Sequence, residues 1–145
     1  MALLRARESI MGVFRPQLNE LGLTEQQWRI IRVLHEHDDL EFHELAHLAC
    51  ILPPSLTGML TRLERKGLLR RRKVATDQRR LHVSLTRDGS ARFEEMSHRM
   101  EELYLVIEAQ FGRQRLAQLF ALLQRVQELR LPTISSNAGA RRTPS

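Results

Sequence analysis

Cysteine occurs once, as Cys50, so the chain can close no intramolecular disulfide and build no Cys-based zinc site. A reducing cytoplasm is the expected setting. No apolar run approaches the ~18 residues that a membrane span requires. The start, Met1-Ala2-Leu3-Leu4-Arg5-Ala6-Arg7, lacks the long apolar stretch and cleavage site of a signal peptide, so the protein is expected to stay where it is made. Aromatic residues make up 5% while leucine is abundant, a mix that suits packed helices better than a β-sandwich. Catalytic patterns are missing too. There is no Gly-rich phosphate loop, no Ser-His-Asp constellation and no pair of carboxylates in an apolar setting, which argues against an enzyme. His43 and His47 stand four apart, but the chain's one cysteine cannot build a Cys-based metal site around them. No cofactor is expected.

What is present is basic. The 145 residues carry a net charge of +6, with 42% hydrophobic and 28% charged residues, as in an ordinary soluble domain or a domain with an arm. The isoelectric point is near 10.8, which points to an acidic partner such as nucleic acid. Of 23 basic residues all but Lys66 and Lys73 are arginine, the side chain that grips phosphate and guanine with two donors at once. Codon usage alone can enrich arginine, so the clustering of these residues carries more weight than their number.

The periodicity predicts helices over residues 2–20, 24 to about 37, 42–49 and 54–66, then two strands, 68–74 and 81–85, then helices from Thr86 to about Gln110 and over about 113–130. Pro16 is expected to kink or break the first helix. Thr24 with Gln27 forms a capping-box pattern, and the following helix buries Trp28, Ile31 and Leu34. Asp38-Asp39 ends that helix. The short third helix is expected to bury Leu45 and Leu48. Pro53-Pro54 opens the fourth and Gly67 stops it. Residues 75–80 read as a charged loop closing a hairpin, and the chain from Pro132 reads as a disordered tail.

Two helices joined tightly and followed by a β-hairpin make a winged helix-turn-helix, here centred on residues 53–80. On the fourth helix Leu56, Met59, Leu60 and Leu63 face inward. The opposite face offers Pro54, Ser55, Thr57, Gly58, Thr61, Arg62 and Arg65. These are small residues where backbone can approach DNA, followed by donors for base edges or phosphates. The hairpin holds Arg70-Arg71-Arg72-Lys73 against Arg79-Arg80, a crowding of charge that an anion such as phosphate relieves. Arg71, Lys73, Thr76, Asp77, Arg79 and Arg80 are therefore added as DNA-binding candidates, with Asp77 expected to hold the loop by pairing with an arginine.

The run Asp77-Gln78-Arg79-Arg80-Leu81-His82-Val83-Ser84-Leu85-Thr86-Arg87-Asp88-Gly89 resembles the wing signature of the MarR family, and Leu45-Ala46 and Leu63-Glu64-Arg65-Lys66-Gly67-Leu68 also fit that family's pattern. The resemblance spans about residues 2–130. It implies a mainly α fold with a small β-hairpin wing, in which residues 1–22 and 87–131 supply dimerisation helices, 23–86 the DNA-binding domain and 132–145 a tail. It also implies a homodimer on palindromic double-stranded operator DNA. A narrower resemblance rests on Phe14-Arg15-Pro16, Leu23-Thr24-Glu25-Gln26-Gln27-Trp28-Arg29-Ile30, Ala49-Cys50-Ile51-Leu52 and Pro54-Ser55-Leu56-Thr57-Gly58. These look like the HpaR-type repressors of homoprotocatechuate degradation operons, which respond to hydroxyphenylacetates.

That resemblance implies an effector pocket between the dimer helices and the DNA-binding lobe. An aromatic carboxylate needs an apolar slot and a cation. Met11, Phe14 and Trp28 are the candidates for the slot, and Arg15 and Arg32 for the cation. Two alternatives stand beside this reading. Some members of the family sense peroxides through a cysteine in the first helix beside tyrosines. Here Cys50 falls in the helix-turn-helix connection and the single tyrosine is Tyr104, so a buried structural thiol is the expected role. A non-specific architectural DNA binder would also be basic and dimeric.

Overall fold

A computed structural model describes residues 1–74 and 77–130, the side chains of Gln78 and Arg79 excepted. The order is α1 (Ala2–Glu20), α2 (Glu25–His37), β1 (Asp39–Glu41), α3 (Phe42–Leu48), α4 (Pro53–Arg65), β2 (Leu69–Val74), β3 (Asp77–Leu85), α5 (Arg87–Phe111) and α6 (Arg113–Gln127). The chain forms two compact units, residues 1–106 and the part from Ile107 onward. In the first unit Ile30, Ile31, Leu34, Leu45, Leu56, Leu60, Leu63, Leu69, Val83 and Met96 are fully buried, which joins α2, α3, α4, the sheet and α5 in one core. In the second unit Gly112, at φ 95, separates α6 from the end of α5, and the Arg113 guanidinium reaches the Glu108 carboxylate at 2.7 Å.

Local chemistry sets the helix boundaries. The Thr24 hydroxyl accepts from the Gln27 backbone N–H at 3.2 Å, and the Gln27 side chain accepts from the Thr24 N–H at 3.1 Å, so the capping box closes as expected. Pro53 and Pro54 occupy the first turn of α4, where their missing N–H groups leave no intrahelical bond unmade. Gly67, at φ +73, ends α4 in the left-handed region. The Thr86 hydroxyl accepts from the Gly89 N–H at 3.0 Å at the start of α5.

Several expectations change. α1 is unbroken through Pro16, with Phe14 and Leu18 buried on either side of it, so the packing of this face offsets the lost backbone bond. The residue four before the proline is Gly12, which has no side chain to add to the crowding. Leu48 is exposed; the inner face of the short α3 is Leu45 and Ala46, extended by Ala49 beyond its end. β1 was not expected. It pairs antiparallel with β3 in the register Asp39↔Ser84, Leu40↔Val83, Glu41↔His82, giving the order β1-β3-β2. A three-residue strand with a single apolar residue, Leu40, is too short for alternation to reveal. β3 begins at Asp77, so Asp77 to Arg80 lie on a strand rather than in a loop, with Val74 opposite Asp77. A solvated hairpin keeps its ladder without apolar side chains, so polarity mislabelled this stretch. Thr76 and the tail from residue 132 lie outside the described residues.

Candidate nucleic-acid interface and ligand cavity

α4 buries Leu56, Met59, Leu60 and Leu63 and so turns the opposite face outward. On that face Pro54, Ser55, Thr57, Arg62 and Arg65 are exposed, and Gly58 and Thr61 are half-buried. The Thr61 hydroxyl donates to the Thr57 carbonyl at 3.1 Å, and the Thr57 hydroxyl to the Pro53 carbonyl at 3.5 Å. Each hydroxyl oxygen thus keeps lone pairs directed away from the helix. Arg62 and Arg65 have no ion-pair partner among the described residues.

The wing divides its cations into held and free groups. Arg71 is gripped by Glu64 of α4, with Nε to Oε2 at 2.9 Å and the backbone N–H to Oε1 at 3.3 Å. These hydrogen bonds and the adjacent charge hold the Glu64 carboxyl below its usual range against the opposing effect of burial. Arg72 reaches Asp39 of β1 at 3.2 Å, where His82 Nδ1 also meets Asp39 at 3.2 Å. Arg70 Nε donates to the Ser84 hydroxyl at 3.1 Å. Part of the charge crowding is therefore relieved within the protein, by Glu64 from the preceding helix and by Asp39, which lies 33 residues from Arg72. Lys73 and Arg80 are exposed and lack an ion-pair partner among the described residues. Arg71 thus differs from its DNA-binding expectation in having its guanidinium engaged on α4. The backbone of Arg79 lies on β3, its side chain and Thr76 lie outside the described residues, and Asp77 is exposed on the same strand.

A separate cavity of about 250 Å³ opens between α1, α2 and α5 in the first unit. Met11, Phe14, Trp28 and Arg32 line it, as does Arg29. The Phe14 and Tyr104 rings lie 5.2 Å apart, and Trp28 stacks on Phe93 at 5.3 Å and 10°. His35 also stacks on Phe93, with ring centroids 3.8 Å apart. Arg15 is not among the lining residues; its guanidinium pairs with Glu8 at 2.8 Å and Glu25 at 3.4 Å. Burial opposes the charge on Arg32, but a hydrogen bond to Glu36, at 3.1 Å, and the Tyr104 oxygen outweigh it and raise the guanidinium pKa above its ordinary value.

Arg7, Glu25, Arg29 and Tyr104 also line the cavity and were missed in the sequence. Tyr104 sits on α5, 76 residues from Trp28, where spacing gives no signal. Arg7 and Arg29 did carry one: each falls within a turn of a residue already singled out, Met11 and Trp28. Glu25 falls between Thr24 and Gln27 of the capping box, and in the fold it ion-pairs with Arg7 and Arg15.

Cys50 is exposed rather than buried. It takes φ 52 in the turn after α3, where its N–H donates to the His47 carbonyl at 3.1 Å while Ala49 and Ile51 point inward. A left-handed residue between two buried neighbours leaves its own side chain outside.

Residues 23–81 match the MarR family. The chain is 52% identical over 123 residues to the homoprotocatechuate degradative operon repressor of Escherichia coli, covering 85% of this chain and 83% of that one. The crystal structure of NadR in complex with 4-hydroxyphenylacetate superposes with a TM-score of 0.78 at 46% identity, over 89% of this chain and 92% of that one. A MarR mutant from E. coli complexed with operator DNA superposes with a TM-score of 0.74 at 25% identity, over 87% and 94%. With a helix-turn-helix, a basic wing and this likeness along most of its length, the chain belongs to the MarR family of DNA-binding transcriptional regulators.

Proposed function

We propose that the chain is a cytoplasmic homodimeric repressor of an operon for aromatic-acid breakdown, of the homoprotocatechuate or hydroxyphenylacetate kind, released from its operator by an aromatic carboxylate. The observation that carries this reading is the cavity, where aromatic and thioether walls from Met11, Phe14, Trp28 and Tyr104 meet the arginines of α2. An apolar cavity of ~150 Å³ accepts benzene, so about 250 Å³ has room for a ring and a short carboxylate arm. Trp28 covers the ring and Arg32 meets the carboxylate, a charge-assisted bond worth about 1.5–3 kcal/mol. The likeness to the operon repressor and to NadR with its bound hydroxyphenylacetate supports the same chemical class.

On DNA, Pro54, Ser55, Thr57, Gly58, Thr61, Arg62 and Arg65 of α4 read the major groove. Lys73, Thr76, Asp77, Arg79 and Arg80 set the wing on the backbone, with Arg71 holding wing to helix. Residues 1–22 and 87–131 form the dimer. The ligand favours a spacing of the two α4 helices that no longer fits successive grooves.

Calorimetry with 4-hydroxyphenylacetate and a DNA-release titration test the ligand. The parent protein binds and lets go of its operator. Arg32→Gln binds roughly ten- to a hundredfold more weakly, and Arg15→Gln, outside the cavity, binds nearly as the parent does. Equal binding by Arg32→Gln and parent would place the anchor elsewhere.

A further inference from the structure

Resting on the ligand reading above, we infer that Arg29 is the positioning residue that carries occupancy of the cavity to the recognition helix. Arg29 lies on α2 and lines the cavity. Its Nη1 donates to the Cys50 carbonyl at 3.5 Å. Cys50 is the left-handed residue of the α3–α4 turn, and after it come Ile51, which is buried, and Leu52, the N-cap of α4. One side chain thus spans from the cavity wall to the turn that aims α4.

The arrangement is poorly satisfied without a ligand. Arg29 Nε is buried and has no hydrogen-bond partner, the one such side-chain atom among the described residues. Its bond to Cys50, at 3.5 Å, is longer than an ordinary N–H···O hydrogen bond. The other arginines of the cavity have carboxylate partners: Arg7 holds Glu25 and Arg32 holds Glu36. Arg29 has none among the described residues. A buried unmet donor is costly, and an anion entering the cavity offers what the guanidinium lacks. Turning toward that anion forfeits the hold on Cys50. Two alternative partners for one cation make a two-state element that the ligand biases and the α3–α4 turn reads.

Arg29→Gln tests this beside Arg32→Gln, with 4-hydroxyphenylacetate as the probe and an operator duplex selected in vitro. The readout is the ratio of operator affinities without and with saturating ligand. Arg29→Gln binds the ligand within about tenfold of the parent, yet its ratio falls toward one. Arg32→Gln loses ligand affinity but recovers the parent ratio once saturated. A parent-like ratio in Arg29→Gln overturns the inference, and so does a ligand-free operator affinity in that variant that falls below the parent's liganded affinity, which would make Arg29 a structural prop. Hydrogen exchange without any ligand keeps the two readings apart. Freed of Arg29, the amides from Cys50 to Leu56 exchange faster in Arg29→Gln, and unchanged exchange there overturns the inference. If instead no ligand binds the parent while this exchange difference appears, the aromatic-acid reading fails and the Arg29 hold on the turn stands.

Discussion

At the residue scale Gly89 has a sharply defined role. A Cβ built there would lie 1.9 Å from the Leu68 carbonyl oxygen and 3.2 Å from Leu85. That oxygen accepts the Thr86 N–H at 3.1 Å, and the Thr86 hydroxyl donates to the Gly67 carbonyl, so the first turn of α5 is pressed against the base of the wing. Gly89→Ala should gain helix propensity, by ~1 kcal/mol, yet the clash is with backbone and cannot be relieved by a rotamer. The expected outcome is net destabilisation of about 1–3 kcal/mol or more, read as a lowered denaturation midpoint, with weaker operator binding as the wing base shifts. An unchanged midpoint would mean that α5 and β2 separate freely. The sequence pattern placed a glycine here, but the carbonyl it makes room for lies 21 residues away.

Among the elements, wing and recognition helix move as one piece to the extent that Glu64 holds Arg71. The Glu64 carboxyl titrates below its usual range because Arg71 donates to it. A depressed folded-state pKa contributes stability above the unfolded value, near ~4.3, and loses it as pH falls through the lower folded value. Acid titration of Glu64→Gln should therefore lack the part of the parent's stability loss that falls below about pH 4.3, and should bind operator less tightly at neutral pH through a looser wing. Identical acid profiles would rule out the pair as a contributor. Contacts within these elements separate by class. Thr57→Ala or Arg62→Ala, on α4, should cost about 1–3 kcal/mol on the operator with less effect on random duplex. Lys73→Ala or Arg80→Ala, on the wing, should weaken binding to both and flatten the salt dependence by about one unit. Competition assays over a salt series tell these apart, and equal losses for the helix variants on both duplexes would argue against base readout.

For the whole molecule, the exposed apolar residues are concentrated on α1, α6 and the later part of α5, where Tyr104, Leu105, Val106 and Phe111 are exposed. Leu3, Leu4 and Val13 of α1 stand out from the first unit, and Phe120, Leu122 and Val126 of α6 from the second. Apolar stripes left in water on a short chain call for a partner, and light scattering should give a dimer at every workable concentration. A stable folded monomer would remove the basis for two half-sites. The same contrast divides what each level of description settled. Helical periodicity, the Thr24 capping box, Pro53-Pro54 and Gly67 are local, so the sequence alone determined the helices, the inward face of α4 and the basic outward face beside the wing. Trp28 and Arg32 could be paired in advance because four residues on a helix share a face. Long-range partners obey no such spacing. Tyr104 beside Phe14, Asp39 under Arg72, Glu64 on Arg71 and Arg29 against Cys50 were decided by tertiary packing, which brings distant segments together through burial of residues such as Leu34, Leu60 and Met96 that carry no chemistry of their own. Arg15 is the converse case: it stands next to Phe14, which does line the cavity, but Glu8 and Glu25 lay within reach, and these ion pairs took the cation away from the cavity.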